Sequence, residues 1–292
     1  MFKVLNKQLL AQDTKRMDIL APSVARKIKT GQFVSVSPQE GDERIPLSVV
    51  EADGLKGTLS LIFQEVGFTT TKLGSMAIND PIFSILGPLG NPAQIEKKGT
   101  VVCIATGIGT AQILPICRAL KNAGNKVIGV IGAKKKKELI LEAQMRLSCQ
   151  QLFITTNDGS YERRGLATDI VKTFLQQQKI DLVYAIGSVD MLQAVCQMTK
   201  EKNIPTRVVL NPMMVDCMGM CGSCRVQVGG EIVLACIEGP EFDGQKIDFE
   251  DLQIRMNAYE ESALWGNQPL QHNQNPSESK ILTRFLSGIL RK

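Results

Sequence analysis

The first third of the chain consists of short runs in which apolar and polar residues alternate or β-branched residues predominate. Gly, Pro, Asn and Asp separate these runs, which is typical of strands joined by tight turns. No helical period of useful length accompanies them. The predicted strands cover residues 2–10, 16–20, 32–37, 44–50, 58–64 and 81–86. The pattern predicts a small antiparallel barrel or sandwich, which we assign to residues 1–97.

From Gly99 onward the pattern changes to strand, glycine-rich turn and helix, repeated several times. The predicted strands cover 100–105, 126–131, 151–155 and 182–186, and the predicted helices cover 111–123, 138–147, 166–177 and 191–200. The first two strands are continuously apolar, as expected of strands buried on both faces. Alternating units of this length predict a parallel sheet with helices on both faces, in an α/β domain at 98–208.

The last part of the chain is more varied. Residues 209–250 form a small unit that contains half of the eight cysteines. We assign residues 251–292 to a C-terminal helix, predicted from 249 to 265, a polar linker and an amphipathic tail. The linker, 266–279, is rich in Asn, Gln, Pro and Ser. Apolar residues at helical spacing in 281–292 predict a short helix that docks on its own domain or on a partner.

Composition narrows the class of protein. The net charge of +5 is small and dispersed, and aromatic residues make up only 5%, which argues against a nucleic-acid-binding protein. No apolar stretch reaches the roughly 20 residues of a membrane span, and no signal-peptide core follows Met1, so we expect a cytoplasmic protein. His272, the single histidine, lies in the polar linker, which excludes catalytic triads and histidine-ligated zinc from the folded part.

A cysteine-rich segment, Asp216 to Cys236, carries the strongest chemical signal. Gly229-Gly230 lies between two alternating runs and predicts a two-residue hairpin turn. Pairing outward from that turn brings Cys236 back beside Cys224 and Cys221. In a reducing compartment, thiols collected in this way indicate a metal site rather than disulfides.

Three thiolates need a fourth ligand to hold either zinc or an iron-sulfur cluster. The spacing of plant-type ferredoxins places that ligand five positions before Cys221, which is Asp216. A carboxylate is a harder iron ligand than a thiolate and is expected to change the reduction potential. Cys217 would serve if the loop were displaced by one residue. We predict Asp216, Cys221, Cys224 and Cys236 as metal ligands, and a zinc site is the alternative.

The order of barrel, α/β domain and cysteine unit resembles the ferredoxin-NADP reductase superfamily over residues 1 to about 265. In particular, it resembles iron-sulfur flavoprotein subunits such as those of class 1B dihydroorotate dehydrogenases and of electron-bifurcating NADH-dependent ferredoxin:NADP oxidoreductases. Asp216 and the stretch Glu238 to Gly244 look more like the second group, because the dihydroorotate type uses four cysteines. The resemblance implies FAD, a 2Fe-2S cluster and NAD(H), with NADP(H) as the alternative dinucleotide.

The resemblance also implies a flavin site. The flavin motif of the superfamily, Arg-x-aromatic-Ser/Thr, matches Arg44-Ile45-Pro46-Leu47-Ser48, where Leu47 replaces the aromatic residue and Arg44 stands one position early. The stretch Gln64 to Thr70 resembles the loop whose amides and hydroxyls receive the FAD diphosphate. The implied flavin-binding residues are Arg44, Pro46, Leu47, Ser48, Gln64, Gly67, Thr69 and Thr70.

A dinucleotide site is implied in the α/β domain. The glycine-rich loop Ala105 to Ala111 separates a strand from a helix and lacks the third glycine of the Rossmann fingerprint, as in this superfamily. The run Lys134 to Lys137 follows the next strand, where an acid would select NAD, so it favours a 2′-phosphate. Segments 157–160 and 185–191 resemble cofactor-lining segments. The implied dinucleotide-binding residues are Gly107, Gly109, Thr110, Ala111, Lys134, Asp158, Gly187 and Met191.

Together these features predict an oxidoreductase subunit in which electrons pass between NAD(P)H, FAD and a 2Fe-2S cluster. No catalytic acid or base is required. A larger flavin and iron-sulfur subunit is the expected partner, and in the bifurcating type that partner would handle NADP(H) and ferredoxin. The alternatives are a subunit serving a dihydroorotate dehydrogenase, a hydrogenase or a sulfur reductase, and a zinc-stabilised nucleotide-binding module without redox activity.

Overall fold

Seven strands from the first third of the chain form one antiparallel, nearly closed sheet. The computed structural model describes the backbone of residues 2–266 and the side chains of residues 2–258. The strands are β1 (Phe2–Ala11), β2 (Thr14–Leu20), β3 (Phe33–Ser37), β4 (Ile45–Asp53), β5 (Thr58–Gln64), β6 (Pro81–Ile82) and β7 (Ser84–Leu89). Their order is β6-β1-β2-β5-β4-β3-β7. Alternate side chains such as Met17, Leu47 and Leu61 fill the interior, and the predicted antiparallel barrel is confirmed.

Two short helices interrupt the barrel strands, α1 (Pro22–Ala25) and α2 (Phe68–Ser75), although the sequence pattern predicted none. Contacts at both ends stabilise α2. The Thr70 hydroxyl accepts the N–H of Gly67 at 3.0 Å, and Lys7 and Lys15 both donate to the carbonyl of Gly74 at 3.1 Å. These side chains satisfy backbone groups that are free at the two ends of the helix. The helix is therefore stabilised although its sequence shows no helical period.

A parallel sheet with helices on both faces follows, as predicted. Its elements are β8 (Thr100–Thr106), α3 (Gly109–Asn122), β9 (Lys126–Ala133), α4 (Glu142–Ser148), β10 (Gln151–Thr156), β11 (Arg163–Arg164), α5 (Ala167–Gln177), β12 (Leu182–Ile186), α6 (Val189–Lys200) and β13 (Thr206–Val209). The strand order is β11-β10-β9-β8-β12-β13, and all these pairs are parallel. The predicted α/β fold is therefore confirmed.

The cysteine-rich unit contains a hairpin of β14 (Arg225–Val228) and β15 (Glu231–Leu234), then β16 (Glu241–Asp243). Gly229 and Gly230 form the turn with φ of 63° and 87°, and Val228 pairs with Glu231, as predicted. Only glycine adopts two such φ values without strain. The sequence pattern did not predict β16, which joins the parallel sheet as an antiparallel edge strand beside β13.

The C-terminal helix α7 runs from Phe249 to Gly266. By internal contacts the chain divides after Ile254. The predicted linker beyond residue 266 and the predicted amphipathic helix at 281–292 lie outside the described residues. Within the described part, no helix is both long and apolar enough to cross a membrane.

Candidate functional site

The carboxyl ends of four adjacent parallel strands bring the predicted dinucleotide residues to one edge. Gly107 follows β8, Lys134 follows β9, Asp158 lies two residues after β10 and Gly187 follows β12. In the sheet these strands are neighbours in the order β10-β9-β8-β12. Ligands of open α/β sheets bind at this edge.

The glycine loop leaves two amides available at the start of α3. Gly107 has a φ of 55°. The N–H groups of Thr110 and Ala111 donate to the carbonyls of Gly107 and Ile108 at 3.1 and 3.0 Å, and both side chains are buried. The amides of Ile108 and Gly109 have no acceptor among the described residues. Free amides at a helix N-terminus suit a phosphate group.

Close packing explains the glycines of this edge. A Cβ atom on Gly109 would lie 2.7 Å from the carbonyl oxygen of Ile186 at the end of β12. A Cβ atom on Gly187 would collide with the Thr106 hydroxyl and the Met191 methyl group. Met191 itself is buried behind this turn. The two glycines therefore let the loops after β8 and β12 approach each other.

Lys134 and Asp158 lie side by side on the surface. The Asp158 N–H donates to the Lys134 carbonyl at 3.3 Å. The Asp158 carboxylate accepts the N–H and the hydroxyl of Ser160 at 3.0 and 2.6 Å, and these hydrogen bonds lower its pKa. An ionised carboxylate at this position suits ribose hydroxyls, whereas the lysine suits a phosphate.

The flavin motif occupies the start of β4, which pairs with β3. Ser48 is half-buried and lies opposite Phe33, and Pro46 lies opposite Ser35. Leu47, at the position of the aromatic residue, packs inside the barrel. Arg44 precedes the strand. The structure thus places Ser48 and Arg44 outside the barrel core and Leu47 within it.

The predicted diphosphate loop connects β5 to α2. The side chain of Gln64 donates to Asp13 at 2.8 Å, and the Thr70 hydroxyl is used by the amides of Val66 and Gly67. Thr69 is buried. This loop therefore offers backbone amides at the start of α2 rather than free hydroxyls.

An ion pair brings the two flavin segments together. Lys72 of α2 lies 2.6 Å from Asp42, in the loop just before Arg44. The lysine is therefore held beside both the diphosphate loop and the flavin motif.

The hairpin brings two of the predicted metal ligands into contact. The Ala235 N–H donates to the Cys224 carbonyl at 3.0 Å, and the Cys236 thiol lies against the Cys224 thiol. Burial, followed by this contact, raises the pKa of Cys236 to about 12. Cys221 lies on the exposed loop, with its sulfur 3.1 Å from the Ser223 hydroxyl.

Asp216 and Cys217, the two candidates for the fourth ligand, differ in their surroundings. The Asp216 carboxylate accepts the N–H groups of Met218, Met220 and Cys221 at 2.9, 2.8 and 2.6 Å. These hydrogen bonds outweigh burial and lower its pKa. Cys217 is buried with a φ of 63°, and its thiol faces Ser35 of β3.

The donor set suits a 2Fe-2S cluster by type. The predicted donors, three thiols and one carboxylate, lie within a 21-residue segment that also contains Cys217. Among residues 2–258, no three His, Cys, Asp or Glu side chains form an arrangement that could hold a metal ion. The donors are therefore neighbours in the fold without forming a complete cage.

Several residues that hold the cysteine-rich unit, 209–250, in place were not predicted. The N–H of Asn91 donates to the Gly239 carbonyl at 2.7 Å, and its side chain donates to the Glu238 carbonyl at 2.9 Å. Gln112 in the first turn of α3 accepts from Asn211 at 3.0 Å. These contacts join distant segments, and no local sequence signal indicates them.

Comparison with known proteins agrees with this geometry. Residues 211–248 match the family model for the iron-sulfur cluster binding domain of dihydroorotate dehydrogenase B. The chain is 37% identical to a dihydroorotate dehydrogenase B (NAD(+)) electron transfer subunit homolog from Thermotoga maritima, over 89% of this chain and 92% of the relative. It is 39% identical to an uncharacterized protein from the adh 3′ region of Clostridium beijerinckii, over 89% of this chain and 90% of the relative.

A solved structure is also similar. It comes from work on flavin-based electron bifurcation in an NADH-dependent reduced ferredoxin-NADP oxidoreductase. The similarity has a TM-score of 0.85 at 37% identity and covers 89% of this chain and 94% of the other.

Proposed function

Because the chain belongs to the family of dihydroorotate dehydrogenase B electron transfer subunits, we propose that it passes electrons between NAD(H) and a larger partner subunit. The family confirms the role of oxidoreductase subunit and the predicted cofactors FAD, 2Fe-2S and NAD(H). We further propose that residues 1–97 bind FAD, 98–208 bind the dinucleotide and 209–250 hold the cluster.

One observation carries the proposal: the cysteine-rich unit, residues 209–250, contacts both the predicted flavin motif and the helix that follows the glycine loop. Met218 lies 3.9 Å from the Arg44 guanidinium of the flavin motif, measured from Sδ to Nη1. Asn211 contacts Gln112, three residues into the helix that begins at the glycine loop. A segment placed in this way suits electron exchange with a flavin that lies beside a dinucleotide.

When bound, FAD takes two electrons at once from reduced nicotinamide and delivers them singly to a 2Fe-2S cluster. The residues of the chain position these groups. We propose that Ser48 lies at the flavin ring edge, that the amides of Ile108 and Gly109 bind the dinucleotide phosphate, and that Asp158 binds its ribose. The proposed cluster ligands are Asp216, Cys221, Cys224 and Cys236.

Exposed apolar side chains around the cysteine loop support a docked partner. Met220 is 84% exposed and Ile232 is 66% exposed. The others are Met213, Val215, Met218 and Ile237. Exposed apolar patches of this kind mark interaction surfaces.

We propose that the complex is an electron-bifurcating oxidoreductase whose partner handles NADP(H) and ferredoxin. The similarity to the NADH-dependent ferredoxin-NADP oxidoreductase structure and the Asp216 position support this assignment. The match of residues 211–248 favours a second candidate, a subunit that serves a dihydroorotate dehydrogenase.

The test begins with the native complex, isolated without oxygen through a tag on this chain. FAD and iron are quantified, and NADH is added while flavin absorbance and the electron paramagnetic resonance signal of the cluster are recorded. We expect both centres to be reduced by NADH. A protein that contains zinc in place of iron would contradict the proposal. The identity of the co-purified chain distinguishes the two candidate complexes.

A further inference from the structure

Strand β4 carries a β-bulge where it faces helix α3. Val49 pairs with Leu61 of β5 and Glu51 pairs with Ser60, so Val50 is the extra residue. A bulge redirects the side chains around it. Val49 packs in the barrel core, whereas Val50 packs in the core of the α/β domain. The bulge therefore directs two consecutive residues, Val50 and Glu51, toward the α/β domain.

Glu51 lies between two arginines from different domains. Its carboxylate accepts from Arg16 of β2 at 2.8 Å and from Arg118 of α3 at 2.5 Å. Arg16 is held in turn by Asp18 at 3.0 Å and by the Ser60 hydroxyl at 2.9 Å. Burial raises the pKa of Glu51, but the hydrogen bonds from Arg118 and Arg16 outweigh it and lower that pKa. An ionised Glu51 thus joins the barrel to α3.

The interface beside this bridge is not filled by apolar side chains. A cavity of about 710 Å³ separates the outer face of the barrel from the second half of α3. Thr58 of the barrel and Asn122 of α3 are among its lining residues. Apolar contact at Val50 and Ile62 holds the two domains together on one side of the gap. Across the gap, directional hydrogen bonds of the bridge fix the orientation of the helix.

Both elements joined by the bridge also lead to a proposed cofactor site. Ser48 lies three residues before Glu51 on β4, which is roughly 10 Å along a strand. Gly109 lies nine residues before Arg118 on α3, which is roughly 13 Å along a helix. A shift of α3 against β4 would therefore move the dinucleotide site relative to the flavin site.

We propose that Glu51 is a positioning residue for hydride transfer, which it aligns by holding α3 to the flavin strand through Arg118 and Arg16. The inference rests on the proposed function. In that step the C4–H bond of NADH would break and an N5–H bond of FAD would form, so that the hydride carries both electrons across and leaves NAD⁺ and FADH⁻. Such a reaction needs the reacting atoms about 3–3.5 Å apart, and a misplacement of about 1 Å costs on the order of 100-fold in rate. Half-exposed ion pairs contribute little to the free energy of unfolding. The expected effect of the bridge is therefore on the alignment of the two cofactor sites.

The test compares Glu51→Gln and Arg118→Gln with Arg146→Gln in the FAD- and iron-loaded protein. Arg146 is a matched control, because it lies between Glu142 and Glu162 at 2.8 and 2.6 Å entirely within the α/β domain. We expect both bridge variants to slow flavin reduction at saturating NADH by about 10-fold or more. They should weaken the charge-transfer absorbance between nicotinamide and flavin, while the NADH concentration for half-maximal rate stays unchanged. The double variant Glu51→Gln/Arg118→Gln should slow flavin reduction no more than either single substitution does, because both remove the same bridge.

A second measurement does not depend on the cofactors. In FAD-free protein, hydrogen-deuterium exchange at 115–122 should rise in Glu51→Gln and stay at the wild-type level in Arg146→Gln. The inference would be overturned if Glu51→Gln kept the wild-type rate of flavin reduction and the wild-type hydrogen exchange. It would also be overturned if Arg146→Gln slowed flavin reduction as much as the bridge variants do. If NADH fails to reduce the flavin of the wild-type protein, the proposed function is contradicted instead. The exchange experiment would still test the bridge in that case.

Discussion

Two groups of cysteines in this chain consist mainly of buried thiols, and they differ in one exposed member and in the groups that lie beside them. In the α/β core, the Cys117 thiol lies against those of Cys103 and Cys149, and all three side chains are buried. In the cysteine segment, Cys221 lies on an exposed loop. Contact with Cys117, followed by burial, raises the pKa of Cys149. Contact with Cys103, together with burial, raises the pKa of Cys117. Proximity of thiols therefore does not by itself make a metal site. One exposed thiol, Cys221, and the adjacent Asp216 carboxylate that accepts its N–H distinguish the second group, for which a metal site is predicted.

The largest effect is expected at the end of the hairpin. Cys236→Ala removes a proposed ligand, so iron content and the signal of the reduced cluster should be lost while FAD stays bound. Cys117→Ala, in the core group, should keep full iron content. Iron and FAD analysis of both proteins checks this, and equal iron in the two variants would remove Cys236 from the ligand set.

Asp216 and Cys217 provide a sharper contrast within the segment. Asp216→Ser should destabilise or abolish the cluster and leave FAD bound, whereas Cys217→Ser should retain iron. Asp216→Asn is the companion variant, because it keeps an oxygen that accepts the loop amides and removes the anionic ligand. Iron content that persists in Asp216→Ser and falls in Cys217→Ser would identify Cys217 as the fourth ligand.

The two groups should also differ in reactivity in metal-free protein. Burial tends to raise the pKa of Cys221, but its hydrogen bonds with Ser223 and neighbouring amides outweigh burial and lower it. The reactive thiolate therefore forms at lower pH than usual, and alkylation by iodoacetamide should reach half of its maximal rate below the usual thiol pKa of about 8.5. Peptide mass spectrometry across a pH series should find Cys117 and Cys149 unmodified in folded protein. Equal labelling of all three would contradict the contrast.

The smallest effect concerns stability. Cys117→Ala leaves a small cavity in a packed core and should lower the free energy of unfolding by about 1–3 kcal/mol. Cys221→Ala on the exposed loop should change it by less than about 0.5 kcal/mol. Denaturant unfolding of metal-free, FAD-loaded protein measures both. A larger loss in Cys221→Ala would show that the loop contributes more to the fold than its exposure indicates.

Local signals explain what could be predicted from the sequence. Gly229-Gly230 between alternating runs determines a hairpin and its register, because both depend only on neighbouring residues. The buried strands of the α/β domain are equally visible as continuous apolar runs. The helix α2 was missed because its stability comes from Lys7 and Lys15, more than 50 residues away in the chain.

The candidate site divides in the same way. Residue types and spacing indicate the cysteine ligands and the glycine loop. The contacts of Asn91, Gln112 and Glu51 join separate segments, and a single sequence carries no record of such pairing. All four ligands stay predictions. The choice of the fourth is the hardest to make from the sequence, because Asp216 and Cys217 are adjacent in the chain and differ only in their neighbours in space.

Strand β16 connects the cysteine hairpin to the parallel sheet. Six residues, 235–240, follow the cysteine hairpin that ends at Leu234, and the chain then forms the outermost strand of the parallel sheet and covers the open side of β13. A polypeptide shortened before Glu241 would expose that side and invite intermolecular strand pairing. The proposed dinucleotide domain and the proposed cluster unit therefore share one sheet.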